Sequence, residues 1–402
     1  MEKRRILFVN EEQNVQLGLR RVLHGLRQEW DMTFTTDPRQ ALELLERVPF
    51  EVVVAEADTP AQGGSRFLAE VMRRHPQVVR IVLSDHVERE ASLEMLTISH
   101  QLLAKPCDVH TLKATLGRAL ALRHFLDGGT PLKALVSRLE SLPSLPQLYN
   151  RIVHELQSPH VSLAAVADIV AEDPAMAAKI LQLVNSAFFG LPRHVSDLSR
   201  AVAMLGLDTV KALVLTAQVF SRLDPGGLPT WSLEALWRHS TLVGALARAI
   251  MEAERDDQEL LNDALMAGLL HDLGKLVLAA NLPGIYARAM DLAQRERISL
   301  VAAERHLFGA GHPETGAYLL GLWGLPEPII EAVAYHHEPR HCGRPGFSVL
   351  TAVHAANALS HEFALDGRLS TPDPLDLGYL RALGLDGRVA DWRALGHSFA
   401  TA

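Results

Sequence analysis

At 402 residues the chain is longer than one ordinary core organises, and it implies two to three domains. Hydrophobic residues make up 48% and charged residues 21%, with no run near the roughly 18 apolar residues of a membrane span, so disorder and membrane insertion are excluded as whole-chain descriptions. The 39 Lys and Arg against 47 Asp and Glu leave a net charge of −8, which removes the global positive charge that non-specific binding to phosphate backbones needs. Cys107 and Cys342 are the two cysteines, too few for a disulfide framework, and Met1 to Gln13 holds only a short apolar run. A reducing cytoplasm and no secretory leader are therefore expected. The unusual count is 19 His, nine of them between His239 and His361.

From Arg5 to about Phe125, short β-branched runs alternate with longer amphipathic stretches. Ile6 to Val9, Asp31 to Thr35, Glu51 to Ala55, Val79 to Leu83 and Leu102 to Ala104 are the expected strands. Runs such as Val52-Val53-Val54 and Ile81-Val82-Leu83 are continuously apolar, as parallel strands covered on both faces require, and Ala41 to Arg47 and Arg66 to Arg74 have helical spacing. The expectation is a doubly wound α/β domain with a five-stranded parallel sheet over 1–125. Turn residues from Asp127 to Pro131 place a linker at 126–137.

After the linker the strand signal vanishes and the pattern reads as all-α over 138–363. The expected helices are Leu145 to Leu156, Leu163 to Ala171, Met176 to Ala187, Ser199 to Leu205, Leu207 to Leu223, Leu233 to Glu254 and Glu259 to Ala280, followed by Ile285 to Glu296, Val301 to Phe308, Pro313 to Leu322, Pro326 to His337 and Phe347 to Phe363. A tail, 364–402, is expected to pack on or extend the helical domain. Trp231, Trp237 and Trp323 are expected to pack between helices, since no basic residues interleave with them.

In open parallel sheets, ligands collect at the carboxyl ends of the strands. Here those ends deliver Asn10, Glu11 and Glu12, then Glu56 and Asp58, then Ser84, then Lys105 before Pro106. Spacing alone also allows a salt-bridged rim that pins loops. The arrangement resembles the receiver domain of bacterial response regulators over the first 120 residues or so. The resemblance implies a magnesium-binding acidic pair after strand one, a phosphorylated Asp after strand three, a switch hydroxyl after strand four and a Lys-Pro after strand five.

Ser84 and Lys105 fit the hydroxyl and the lysine. The usual Pro four residues after the acceptor is matched by Pro60, which places Glu56 on the acceptor position. The acidic pair is altered to Asn10 and Glu11. Glutamate is one methylene too long for the in-line geometry of phosphoryl transfer, and the loss of one carboxylate argues against magnesium at this site. The expectation is a receiver that is not a phosphorylation switch, with Glu56 and Lys105 forming an exposed rim pair of no more than about 1 kcal/mol. Asp58, two residues nearer Pro60 than the pattern requires, is the minor alternative acceptor.

On the helix expected from Glu259 to Ala280, apolar residues cover almost every face, so His271 and Asp272 must be buried and either paired or coordinated. A His-Asp hydrogen bond or an Asp272 to Lys275 pair at i,i+3 would satisfy them locally. Further candidates lie elsewhere: His239 on the preceding helix, His312 at the start of another, His336 and His337 ending a third, and His354 with Asn357 on the next. Imidazole with carboxylate suits Zn, Mn or Fe, and a helical bundle builds a core metal site by spreading ligands over several helices.

His239, then His271-Asp272 within His-Asp-Leu-Gly-Lys, resembles the HD superfamily of metal-dependent phosphohydrolases. The segments Ser141 to Pro146, Val184 to Gly190 and Ala201 to Gly206 resemble the HDOD domain, a non-catalytic relative used in bacterial signalling, over about 138–340. Asn185 and Ser186 also read as a helix stop, with Phe188 and Phe189 as core. The expected metal ligands are His239, His271, Asp272, His312, His336 and His337, with Asn357 standing weakly where the active family has an Asp. The glycine-tyrosine-proline motif of the cyclic-dinucleotide phosphodiesterases is missing after His336-His337. His306, His341 and His361 read as surface or capping residues.

The resemblance implies a cytoplasmic two-component response regulator whose HDOD output acts through contacts with signalling proteins. Receiver domains often pair, so a homodimer through this domain is part of the expectation. Direct nucleic-acid binding is not expected, because no helix-turn-helix with a basic recognition helix stands out. The competing reading is a metal-dependent phosphohydrolase or phosphodiesterase.

Overall fold

The computed structural model describes residues 3–10, 12–56, 63–84, 98–105, 107, 109–121, 136, 142–143, 151–152, 154–156, 161–185, 195–215, 220–221, 232–363 and 374–400. These residues fall into two compact units, one drawn from 1–141, 182–194 and 321–324 and the other from the rest.

The first unit is built on five strands: β1 (Arg4–Val9), β2 (Trp30–Thr35), β3 (Val52–Glu56), β4 (Val79–Ser84) and β5 (Gln101–Ala104). They form one parallel sheet in the order β2-β1-β3-β4-β5. Parallel strands need crossover helices, and α1 (Gln13–Val22), α2 (Pro38–Arg47), α3 (Gly63–Arg74) and α4 (Val109–Ala121) are those described. Asp37 caps α2 by accepting a hydrogen bond from the Arg39 amide, and Pro38 supplies the preset φ of the first turn. On one face of the sheet, Leu7, Val53, Ala55, Val82 and Leu102 pack against Ala41 and Leu45 of α2 and Leu68 and Val71 of α3. Burial on both faces explains the continuous apolar runs of the central strands. The register leaves Asn10, Glu56, Ser84 and Lys105 together at the carboxyl edge.

After the sheet domain the described helices are α5 (Leu163–Ala171), α6 (Pro174–Asn185), α7 (Leu198–Leu215), α8 (Leu233–Glu254), α9 (Gln258–Leu270), α10 (Leu273–Asn281), α11 (Pro283–Glu296), α12 (Leu300–Phe308), α13 (His312–Leu322), α14 (Glu327–Tyr335) and α15 (Val349–Phe363), the last turns of α6 and α13 falling to the first unit. Ser232, Asp257 and Ser299 cap α8, α9 and α12 through their side chains. At the crossing of α8 and α9 a Cβ on Gly268 would stand 2.8 Å from the Gly244 amide nitrogen, so both backbones approach only because neither residue carries a side chain. Trp237 and Trp323 are buried, while Trp231 lies outside the described residues.

Several sequence expectations change. The helix expected from Glu259 to Ala280 is two helices, α9 and α10, broken at His271 and Asp272. The break expected between the helices starting at Ser199 and Leu207 is present, because the backbone of α7 leaves helical geometry at Gly206, whose φ of 74° only glycine adopts freely. The second unit is not wholly α, because Leu142–Pro143 (β6) pairs in parallel with Phe220–Ser221 (β7). Two-residue strands are too short to leave a period in the sequence. The tail is ordered over 374–400 into α16 (Leu377–Ala382) and α17 (Val389–Ala400). Trp392 of α17 is fully buried and donates its indole N–H to Glu254 Oε1 at the end of α8. Among the described residues, no helix is long and apolar enough to cross a membrane.

Candidate functional site

At the carboxyl edge of the sheet, Glu56 ends β3 with its side chain 3% exposed and makes an ion pair with Lys105, whose side chain is 13% exposed. The expected pair is present, but it is buried rather than an exposed rim contact. β3 lies between β1 and β4, so the carboxylate at its end is shielded by the neighbouring strands. Burial pushes the Lys105 ammonium below its usual range, opposed by the Glu12 carboxylate. Ser84 is buried beside the pair, and its carbonyl accepts the Lys105 amide at 2.8 Å. Asn10 Oδ1 accepts the Glu12 amide at 2.8 Å, which makes Asn10 a loop cap with its oxygen already engaged. Glu11, Asp58, Pro60 and Pro106 lie outside the described residues.

The second constellation lies within the helical unit. A continuous helix would turn adjacent residues about 100° apart. The break between α9 and α10 frees His271 and Asp272 from that constraint and lets both face one interior. Gly274 makes this possible, because a Cβ there would collide with the His312 carbonyl at the start of α13. His239 from α8, His336 and His337 from the end of α14, and Asn357 from α15 complete the ring.

The last carbonyls of a helix lack partners of their own. At α9 the Gly268 carbonyl accepts from His271 Nδ1 at 2.7 Å, and at α14 the Val333 carbonyl accepts from His336 Nδ1 at 2.8 Å. His312 Nδ1 donates to Glu304 Oε2 at 2.7 Å. With Nδ1 engaged as a donor, each Nε2 is left to face inward, the orientation that a hydrogen-bond acceptor behind the ring imposes on metal-ligating histidines. His312 Nε2 lies 3.3 Å and His336 Nε2 3.8 Å from Asp272 Oδ1, while His271 Nε2 lies 3.4 Å and His239 Nε2 3.7 Å from Oδ2. His337 Nε2 stands 3.0 Å from His312 Nε2.

Two groups of candidate ligand atoms share Asp272: one with His312, His336 and His337, the other with His239 and His271, each group lying within 4.8 Å. Burial pushes His239, His271, His336 and His337 below the ordinary imidazole range and so favours the neutral form that metals require. For His312 the same burial is outweighed by the Glu304 carboxylate, and its affinity for a proton is raised. Burial would raise Asp272, but His271 and Lys275 hold it well below the usual carboxylate range.

The residues fit a transition metal. His336 Nε2 is buried without a hydrogen bond, and Asp272 Oδ1 accepts no aligned hydrogen bond although imidazoles surround it. Ligands about 2.1 Å from a tetrahedral ion stand roughly 3.4 Å apart, and the spacings of 3.0, 3.3 and 3.8 Å bracket that value.

Other expectations separate here. His354 does not face the cluster: its Nδ1 donates to the His336 carbonyl at 2.7 Å and its Nε2 accepts the Asp376 amide at 3.0 Å, so it pins the loop carrying the paired histidines. His361 is not a plain surface residue, since it stacks on His239 with ring centroids 5.0 Å apart. His306 and His341 are exposed. Asn357 contributes its Oδ1, 3.1 Å from His239 Nε2. Sequence reasoning missed Glu304, which is fully buried and also accepts the His312 amide at 2.7 Å. On a helix reading Leu-Val-Ala-Ala-Glu-Arg, a lone Glu looks like solvated surface, and the available signal was its apolar setting eight residues before His312.

The chain thus carries two modules, a doubly wound sheet with an acid, hydroxyl and lysine at its carboxyl edge and a helical unit with a broken His-Asp helix. Residues 6–117 match the response regulator receiver domain and residues 142–339 match the HDOD domain. The chain is a response regulator with an N-terminal receiver domain and a C-terminal HDOD domain.

An uncharacterized protein of Treponema pallidum (strain Nichols) is 26% identical over 281 residues, covering 69% of this chain and 50% of that protein. Transcriptional regulatory protein ZraR of Escherichia coli (strain K12) is 29% identical over 113 residues, covering 27% of this chain and 26% of that protein. The chain thus spans only half of the first relative and about a quarter of the second. Among solved structures, the MmoQ response regulator of Methylococcus capsulatus str. Bath is similar with a TM-score of 0.50 and 28% identity, over 63% of this chain and 98% of that one.

Proposed function

We propose that this signal-transduction regulator works with a receiver held in one state by Glu56 and Lys105, and with an HDOD domain that acts through contacts with signalling proteins. The observation that carries the reading is the buried Glu56–Lys105 pair on the strand end where the family is phosphorylated. Glu56 carries the same charge as an aspartate but one methylene further out, and its pairing with Lys105 occupies the carboxylate that would otherwise have to attack the phosphoryl donor. Incubation of the chain with acetyl phosphate and magnesium, followed by intact-mass measurement, is expected to leave the mass unchanged. A stoichiometric gain of one phosphate refutes the fixed-state reading, and mapping it to Asp58 identifies a shifted acceptor.

The same proposal gives the helical domain a Zn, Mn or Fe ion among Asp272 and its histidines, a centre that is structural rather than catalytic. In an open site such an ion would supply Lewis acidity and an activated water, whereas in a site closed by protein ligands it would only tie the helices together. A metal-dependent phosphohydrolase is the second reading, and the inward-facing Nε2 atoms favour it. Against turnover stand the neutral amide of Asn357 and the Lys275 ammonium 2.7 Å from Asp272 Oδ2. Elemental analysis of chelator-free protein, paired with a nucleotide and cyclic-dinucleotide hydrolysis panel in added Mn or Fe, separates the two. Hydrolysis that disappears in Asp272→Ala establishes the enzyme.

A further inference from the structure

The geometry points to one metal ion per chain, held by Asp272 Oδ1, His312, His336 and His337, with the Lys275 ammonium standing in for a second ion beside Asp272 Oδ2, His239 and His271. This rests on the metal reading above and adds the stoichiometry and the address. The two groups share one carboxylate, but its two oxygens are differently employed. Lys275 Nζ donates to Oδ2 at 2.7 Å, whereas Oδ1 is buried and accepts no aligned hydrogen bond.

The histidines divide in the same way. On the Lys275 side, His239 Nε2–H donates to Asn357 Oδ1 at 3.1 Å, and His271 Nε2 stands 3.2 Å from the same nitrogen. That group is satisfied by its own members. On the other side, His336 Nε2 is buried without a hydrogen bond, at 3.8 Å from Oδ1, which also lies 3.3 Å from His312 Nε2. Four donors, three nitrogens and one oxygen, make a complete tetrahedral set there. Glu304 behind His312 adds a second buried negative charge to the same side.

Charge makes the asymmetry firmer. A dication among Oδ1 and three imidazoles meets the Asp272 carboxylate, with Glu304 one residue behind. A second dication beside Oδ2 would meet an ammonium already in place and find a neutral amide at Asn357, so like charges would be forced together in a buried site. Two features of this chain exclude the second ion, and both can be removed by substitution.

The test uses the full-length chain stripped with chelator and titrated with Co2+, with native mass spectrometry counting ions and visible absorption reporting coordination. The chain is expected to take up one ion with the intense absorption of a tetrahedral centre. His336→Ala and His337→Ala should each weaken uptake by about 100-fold or more, and far-UV circular dichroism checks that each folds. If one of them does not fold, the other carries the measurement. The double variant Lys275→Met with Asn357→Asp should bind two ions, and adding His239→Ala to it should return the count to one. Two ions in the unaltered chain, or a double variant still limited to one, overturn this inference while leaving the metal reading intact. No ion at all in the folded, unaltered chain overturns the metal reading and this inference with it.

Discussion

The two sites of this chain each centre on a buried carboxylate, and they resolve its charge in opposite ways. Glu56 meets a lysine at a strand end and forms a closed pair. Asp272 meets a lysine as well, but four imidazoles also lie within 4 Å of its oxygens, and one of those oxygens remains without a hydrogen bond. A closed pair has nothing further to bind, whereas an incompletely satisfied carboxylate among neutral imidazoles is a ligand site. The comparison teaches that function follows from the balance of partners around a buried charge more than from the charge itself.

The largest effect should come from removing the carboxylate with the most partners. Asp272→Ala leaves the Lys275 ammonium beside a buried histidine cluster without its anion, and the metal-free chain should lose about 3–5 kcal/mol of stability in urea unfolding. A loss below about 1 kcal/mol would mean that Asp272 is not the electrostatic centre of the cluster.

A further buried carboxylate, Asp263 on α9, tests what happens when burial is compensated by a single hydroxyl and no cation. Desolvation is the main cause of its shift, with Glu259 and Asp257 adding to it against a hydrogen bond from Ser196, and together they raise it from 3.8 to about 6. A raised folded value means that the folded state holds the proton more tightly than the unfolded state. This stabilisation is therefore fully present below about pH 3.8 and is lost as pH rises through about 6, by at most about 3 kcal/mol. Asp263→Asn, which cannot ionise, should accordingly raise the unfolding free energy by up to about 3 kcal/mol near pH 8 and change it little near pH 3.5. Equal melting shifts at both pH values would contradict the assignment.

Glu56→Gln should cost about 2 kcal/mol, less than Asp272→Ala, because Lys105 remains partly exposed and has Glu12 nearby. Thermal melts of the isolated mutation and of Glu56→Gln with Lys105→Met complete the comparison, the double variant recovering most of the loss. If Lys105→Met adds further destabilisation instead, the pair is not the source of the effect.

The smallest effect belongs to the partner behind a ligand. Glu304→Gln keeps an acceptor for His312 Nδ1–H but removes the charge, and should weaken Co2+ uptake about tenfold, or about 1.4 kcal/mol. Uptake unchanged within twofold would show that Glu304 serves packing alone.

Much of this was legible along the chain. The central strands were readable because parallel strands buried on both faces must be continuously apolar, and each of the five lies within two residues of its expected place. His239, His271, Asp272, His312, His336 and His337 were readable as a set because polar groups on apolar helices need partners. The break between α9 and α10 was not, since Leu-Leu-His-Asp-Leu-Gly-Lys continues a helical pattern without a proline. The broken helix brings Gly274 of α10 against the start of α13, a contact 38 residues apart in sequence.

The sequence by itself determined the two modules, the substitution of Glu56 on the acceptor position and the identity of the candidate ligands, because periodicity and residue chemistry are local properties. Only the tertiary structure decided which atoms of those residues are already spoken for. The pairing of Lys275 with one oxygen of Asp272 and not the other, the Glu304 carboxylate behind His312 and the burial of the Glu56–Lys105 pair all depend on where distant helices and strands come to rest. Hydrogen bonds and desolvation act over a few ångströms in space, and the chain's order does not record those distances.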